Sequence, residues 1–167
     1  VRILGIDPGS RITGYGIIDS DGRHSVHVDN GCVHLQAVSL PQRLGIIFRE
    51  IEAIVAAYRP EELAIEQVFV SRNVASALKL GHARGAAICA AVTHELPVAE
   101  YSPRSVKQAL VGSGAADKGQ VQHMVRRLLC IEPELSADAA DALGVALCHA
   151  HTRSTLVRLA GPARRRR

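Results

Sequence analysis

Residues 2–7 read Arg-Ile-Leu-Gly-Ile-Asp and residues 12–19 read Ile-Thr-Gly-Tyr-Gly-Ile-Ile-Asp, with Pro8-Gly9-Ser10 between them. Both runs have strand length, and the intervening residues are short turn chemistry, so an antiparallel hairpin is expected. A third strand is expected over about 24–35, entered through Ser20-Asp21-Gly22. From Pro41 the period changes. Leu44, Ile47, Ile51, Ile54, Val55 and Tyr58 fall on one helical face, which Pro60 closes. Leu63-Ala64-Ile65-Glu66 then reads as a short buried strand. A helical crossover leads into it, so it should run parallel to its neighbour. A long Ala/Gly-rich helix over about 74–95, a fifth strand at 97–101 and helices at about 103–111, 118–130 and 136–151 complete the order. The expected class is α/β, a mixed five-stranded sheet flanked by helices.

The 167 residues suffice for one domain, and no linker or repeat interrupts them. Hydrophobic residues at 47% against 22% charged exclude a disordered chain. Only 3% is aromatic and Trp is absent, so the core must be aliphatic and rich in Ala. The longest apolar run, Ala86 to Val92, is far short of the ~20 residues of a membrane span. No basic, apolar, small-residue order opens the chain, so neither a membrane segment nor a signal peptide is expected. Cys32, Cys89, Cys130 and Cys148 are scattered without a CxxC pair, which suits reduced thiols and a cytoplasmic location. The net charge of +4 is concentrated: six arginines and no acid follow Thr152, ending in Arg164 to Arg167. The remainder is close to neutral. The expected division is therefore a domain over 1–152 and a basic, flexible tail over 153–167, either a solvated end or a polyanion-binding arm.

Four acids invite a chemical reading. Asp7 ends the first strand and Glu66 the fourth. Side chains alternate along strands, so Gly5 shares a face with Asp7, and Ala64 with Glu66, while Leu4, Ile6, Leu63 and Ile65 take the greasier face. If the two strands are parallel neighbours, both acids emerge at the carboxyl edge, where open α/β sheets place their ligands. Asp138 and Asp141 are three apart on a helix and face the same way, surrounded by alanines that let the helix lie close to a sheet. Each acid alone has a plain explanation in turn chemistry, exposure or the helix dipole. Together they would repel one another unless a hard divalent cation neutralised them, and oxygen ligands select Mg²⁺ or Mn²⁺ over zinc. The glycines over 9–14 match neither a P-loop nor a dinucleotide fingerprint and read as a glycine-rich hairpin. In the long helix, Ala77, Gly81, Gly85 and Cys89 repeat every four residues. Packing against the sheet is expected for most of that face, with part of it open to a subunit contact.

These motifs add up to a resemblance. Gly5-Ile6-Asp7-Pro8-Gly9 with Thr13-Gly14-Tyr15-Gly16 resembles the opening of the RuvC family of bacterial Holliday-junction resolvases. So do Glu66-Gln67-Val68-Phe69, Ala77-Leu78-Lys79-Leu80-Gly81, Asp117-Lys118 with Val121-Gln122-His123-Met124, and Asp138-Ala139-Ala140-Asp141-Ala142, in order over residues 1 to about 150. The resemblance implies an RNase H-like fold and a homodimeric, Mg²⁺-dependent endonuclease that cuts opposed strands of four-way junction DNA in recombination and repair. It implies Asp7, Glu66, Asp138 and Asp141 as catalytic, metal-binding acids for two Mg²⁺ per site, with Mn²⁺ able to substitute. Phe69 would stack on bases, and Arg72, Lys107 and Lys118 would contact the DNA. RuvA and RuvB, the branch-migration proteins, would be its partners. Two ions about 3.5–4 Å apart would clamp an in-line displacement, with Asp7 bridging them. An actin-like sugar kinase is the first rival, yet it needs twice this length and a second phosphate loop. A junction binder without catalysis is the second, and four intact acids argue against it.

Overall fold

β1 (Arg2–Asp7) and β2 (Ile12–Ser20) pair antiparallel, with Gly5 opposite Gly16 and Asp7 opposite Gly14. Thr13 is wholly buried and ties the turn between them: its hydroxyl donates to the Gly9 carbonyl at 3.1 Å and accepts from the Gly9 N–H at 3.3 Å. β3 (Ser25–His34) extends the meander beside β2. α1 (Leu40–Tyr58) starts where the Gln42 side chain reaches back to the Ser39 N–H at 3.0 Å, and it ends at Arg59 in the left-handed region. β4 (Glu62–Glu66) then returns parallel to β1, setting Ile65 beside Ile6. α2 (Val74–Val92) leads to β5 (Val98–Tyr101), parallel to β4. The sheet order is β3-β2-β1-β4-β5. α3 (Pro103–Val111), α4 (Lys118–Leu129) and α5 (Ala137–Leu159) follow. The computed structural model describes residues 1–36, 39–69, 73–131 and 135–159, without the side chains of Arg158 and Leu159.

Strand alternation divides the sheet into two faces. Leu4, Ile6, Leu63 and Ile65, none of them exposed, face α1 and α2 and pack on Ile47, Ile51, Ala83 and Ala87. Burying each such side chain contributes roughly 1.5–3 kcal/mol. Ile3 and Ala64 point the other way, into a core built by α3, α4 and α5. On this second face α5 lies against bare backbone. A Cβ at Gly5 would sit 2.1 Å from the Ala142 carbonyl oxygen, and one at Gly14 would sit 2.1 Å from that of Asp138. These glycines are therefore required by the approach of the helix, which drops its first turns onto the β1–β2 hairpin.

Two expectations are corrected. α2 does not pack through Ala77, Gly81, Gly85 and Cys89. Its buried residues are Ala83, Ala87, Ala90 and Ala91, and among the described residues a Cβ at Gly81 or Gly85 would meet nothing within 4 Å. Both faces of α2 are small, so periodicity alone could not say which one the sheet takes. The last helix also continues past 151 to Leu159, because Arg153 has a docking partner: its Nε donates to Glu62 at 2.9 Å. The four terminal arginines lie outside the described residues.

Candidate active site

The parallel pairing of β1 and β4 brings their carboxyl ends side by side, so Asp7 and Glu66 leave the sheet at one edge and on one face. α5 enters the same edge from above. Its first turns carry Asp138 and Asp141, held against the hairpin by the approach to Gly14. α4 opens beside them, its start fixed by Asp117, which accepts from the Gln120 N–H at 2.9 Å while the Gln120 side chain accepts from the Asp117 N–H at 2.9 Å. This capping places Lys118 with its Nζ 2.6 Å from Asp141 Oδ2.

Charge couples the group. Burial, with the negative charges of Glu66, Asp141 and Asp138, pushes the Asp7 carboxyl up to about 7. Burial, followed by Asp141, pushes Glu66 up to about 7 as well. Lys118 works in the opposite direction on both acids, and its own ammonium is held protonated by Asp141. Lys107, on α3, also lowers Glu66 and lines a cavity of about 200 Å³ with Glu66, Lys118 and Asp141.

The donor set suits a hard divalent cation, since four carboxylates converge with no sulfur or imidazole among them. They are coupled through charge rather than clasped. Among the described residues no three Asp, Glu, His or Cys side chains form a finished metal cage. A bound cation would supply the neutralisation that Lys118 gives only in part.

Of the residues singled out in the sequence, the structure brings together Asp7, Glu66, Asp138, Asp141, Lys107 and Lys118. Phe69 lies three residues beyond Glu66, in the loop after β4, and is 60% exposed. Arg72 lies outside the described residues. Sequence reasoning missed Arg84. From α2 its Nε donates to the Glu66 backbone carbonyl at 3.3 Å while its guanidinium pairs with Glu100 on β5. It thus pins the strand end that carries Glu66. No spacing rule signals such a contact, which exists only once α2 has packed across β4 and β5.

Known proteins resemble this chain in sequence and in fold. A family model described as "Crossover junction endodeoxyribonuclease RuvC" matches residues 3–149. The protein of that name from Vibrio cholerae is 56% identical over 161 residues, covering 96% of this chain and 93% of its own. The structure of Thermus thermophilus RuvC superposes with a TM-score of 0.85 at 34% identity, over 93% of this chain and 96% of that one. The same Thermus protein in complex with a Holliday junction substrate gives a TM-score of 0.87 at 34% identity, over 92% and 95% of the two chains. The sheet order with its helices is an RNase H-like fold. With the family model matching residues 3–149 and relatives this similar over nearly the whole chain, the chain belongs to the RuvC family of crossover junction endodeoxyribonucleases.

Proposed function

We propose that this protein is a structure-selective endonuclease that resolves four-way (Holliday) DNA junctions by paired, symmetric, metal-dependent hydrolysis of phosphodiesters. The observation that carries the reading is the convergence of Asp7, Glu66, Asp138 and Asp141 at one sheet edge beside Lys118. These acids would hold two Mg²⁺ ions, for which Mn²⁺ can substitute. Such ions, when bound, lower the pKa of an attacking water and stabilise the departing 3′ oxygen.

The chain's own residues supply the rest. Asp7 projects from the rigid centre of the sheet, flanked by Glu66 on one strand and by the two α5 acids above it. Lys118 is 62% exposed along its side chain although its head is ion-paired, so it can swing from Asp141 to a phosphate oxygen and offset charge there. Lys107 offers a second cation from the same cavity wall. Phe69, exposed beside the acids, presents a ring on which an unpaired base at the crossover can stack. Two cuts per junction call for two sites, so the working form is a homodimer whose twofold axis matches that of its substrate. RuvA and RuvB are its protein partners on this reading, and its location is cytoplasmic. Among the described residues no helix is long and apolar enough to cross a membrane.

The test is a pair of variants. Glu66→Gln and Asp141→Asn should each abolish strand cleavage while junction binding survives, because removing negative charge does not weaken attraction to phosphate. Full cutting by either variant would remove the four-acid site.

A further inference from the structure

The edge that carries the acids continues on their far side into a basic hollow. β3 runs in the same direction as β1, and Asp7, Gly14 and Cys32 lie on one line across the three strands. Cys32 is thus two strand spacings from Asp7, and His34, two residues further along β3 on the same face, ends that strand at the same edge roughly 12 Å from Asp7. There Arg11, His34, Gln36 and Arg43 line a cavity of about 400 Å³ that no acid lines. Its frame is rigid: the Leu35 N–H donates to the Arg11 carbonyl at 2.9 Å, and Arg43, from the first turn of α1, donates to the Ser10 carbonyl at 3.2 Å.

Arg11 differs from the arginines that build the fold. Arg2, Arg84 and Arg153 are committed to Asp19, Glu100 and Glu62. The Arg11 side chain is exposed and forms no hydrogen bond or ion pair with the described residues, although its backbone is fixed four residues beyond Asp7. Lys107 and Lys118 line the separate cavity on the Glu66 side of the acids. Positive groups thus bracket the acid cluster along one sheet edge, an arrangement complementary to a polyanion lying across the strand ends.

We propose that Arg11, with His34 and Arg43, forms a second phosphate-binding site, which grips the DNA backbone roughly 12 Å from the phosphate presented to the acids. At 3.4 Å of axis per phosphate along one strand, that is about three to four nucleotides from the cut. The inference rests on the reading of the chain as a junction nuclease and adds to it the path of the strand on the β3 side.

The experiment measures junction binding without divalent metal, so that no cut intervenes, across a salt series. Because the homodimer carries two copies of the residue, Arg11→Gln should lower the slope of log affinity against log salt by about 2 and weaken binding roughly sixtyfold at 0.1 M salt, the value of one phosphate contact per protomer. Arg11→Lys should keep the wild-type slope, and both variants should melt with the wild type because the side chain is exposed. A junction carrying neutral methylphosphonates two to four nucleotides from both of the symmetric cuts should weaken the wild type by the same factor and leave Arg11→Gln unaffected. A wild-type slope in Arg11→Gln, or losses from the variant and the methylphosphonate that simply multiply, would overturn this site alone. A wild-type protein with no affinity for the junction would overturn the functional reading and this site with it.

Discussion

Asp7 shows what a single residue costs this fold. The folded, metal-free chain keeps protons on Asp7 and Glu66 up to about pH 7, whereas the unfolded chain releases them near pH 4. Both pKa values are raised on folding, so the native state binds more protons between those limits. The contribution of these groups is therefore full below about pH 4 and is lost as pH rises through about 7. Asp7→Asn should raise the melting temperature of the metal-free protein at pH 8 by at least about 2–4 °C, corresponding to about 1 kcal/mol, and should do little at pH 4. Thermal melts at the two pH values decide it, and an equal effect at both would show that Asp7 is not held against its neighbours' charge. Phe69 poses the opposite case, a large apolar side chain that the fold leaves 60% exposed. Phe69→Ala should leave thermal stability unchanged and lose on the order of 1–3 kcal/mol of junction interaction, read by titration of a labelled junction. Undiminished affinity would remove Phe69 from the DNA surface.

At the scale of elements, α2 carries the most specific expectation. Glycine inside a helix costs about 1 kcal/mol relative to alanine, and nothing among the described residues requires Gly81 or Gly85. Val74 and Leu78 beside them are 59% and 60% exposed. A stripe that is costly alone and apolar at its margin suits a second α2 packed at close backbone distance. Gly81→Arg should therefore leave the monomer folded, even gain helix stability, and yet sediment as a monomer that makes uncoordinated single nicks. A dimer of unchanged affinity would place the interface elsewhere. Legibility also differed by element. The β1–β2 hairpin was readable because Pro8-Gly9-Ser10 permits only a tight reversal between two strand-length runs. The α5 acids were readable because alanines on both sides leave no other reason for a close approach. The orientation of α2 was not, since Ala83 and Ala87 on one face and Gly81 and Gly85 on the other give the same small-residue signal. The end of α5 was missed because arginine-rich sequence reads as solvated tail until Glu62 is found in reach of Arg153. Arg84 was illegible for the same reason: its partners, Glu66 and Glu100, come from separate strands.

At the scale of the molecule, one architecture serves both stability and chemistry. The apolar face of the sheet, covered by α1 and α2, holds β1 and β4 rigid, and the glycine face lets α5 bring acids to their ends. The acids repel one another although the chain's other charges sum to +8, 20 basic against 12 acidic, and on the proposed reading a divalent cation would relieve that repulsion while it served the reaction. The central claim is that this geometry is a metal-dependent junction-cutting site that acts in pairs. The most direct measurement is to incubate the purified wild-type protein with a synthetic four-way junction, with and without Mg²⁺, and to map the nicks on all four strands. The account predicts no cutting without the metal and, with it, cuts at symmetric positions on two opposed strands. Cutting that persists after metal removal, or nicks confined to one strand per junction, would contradict it.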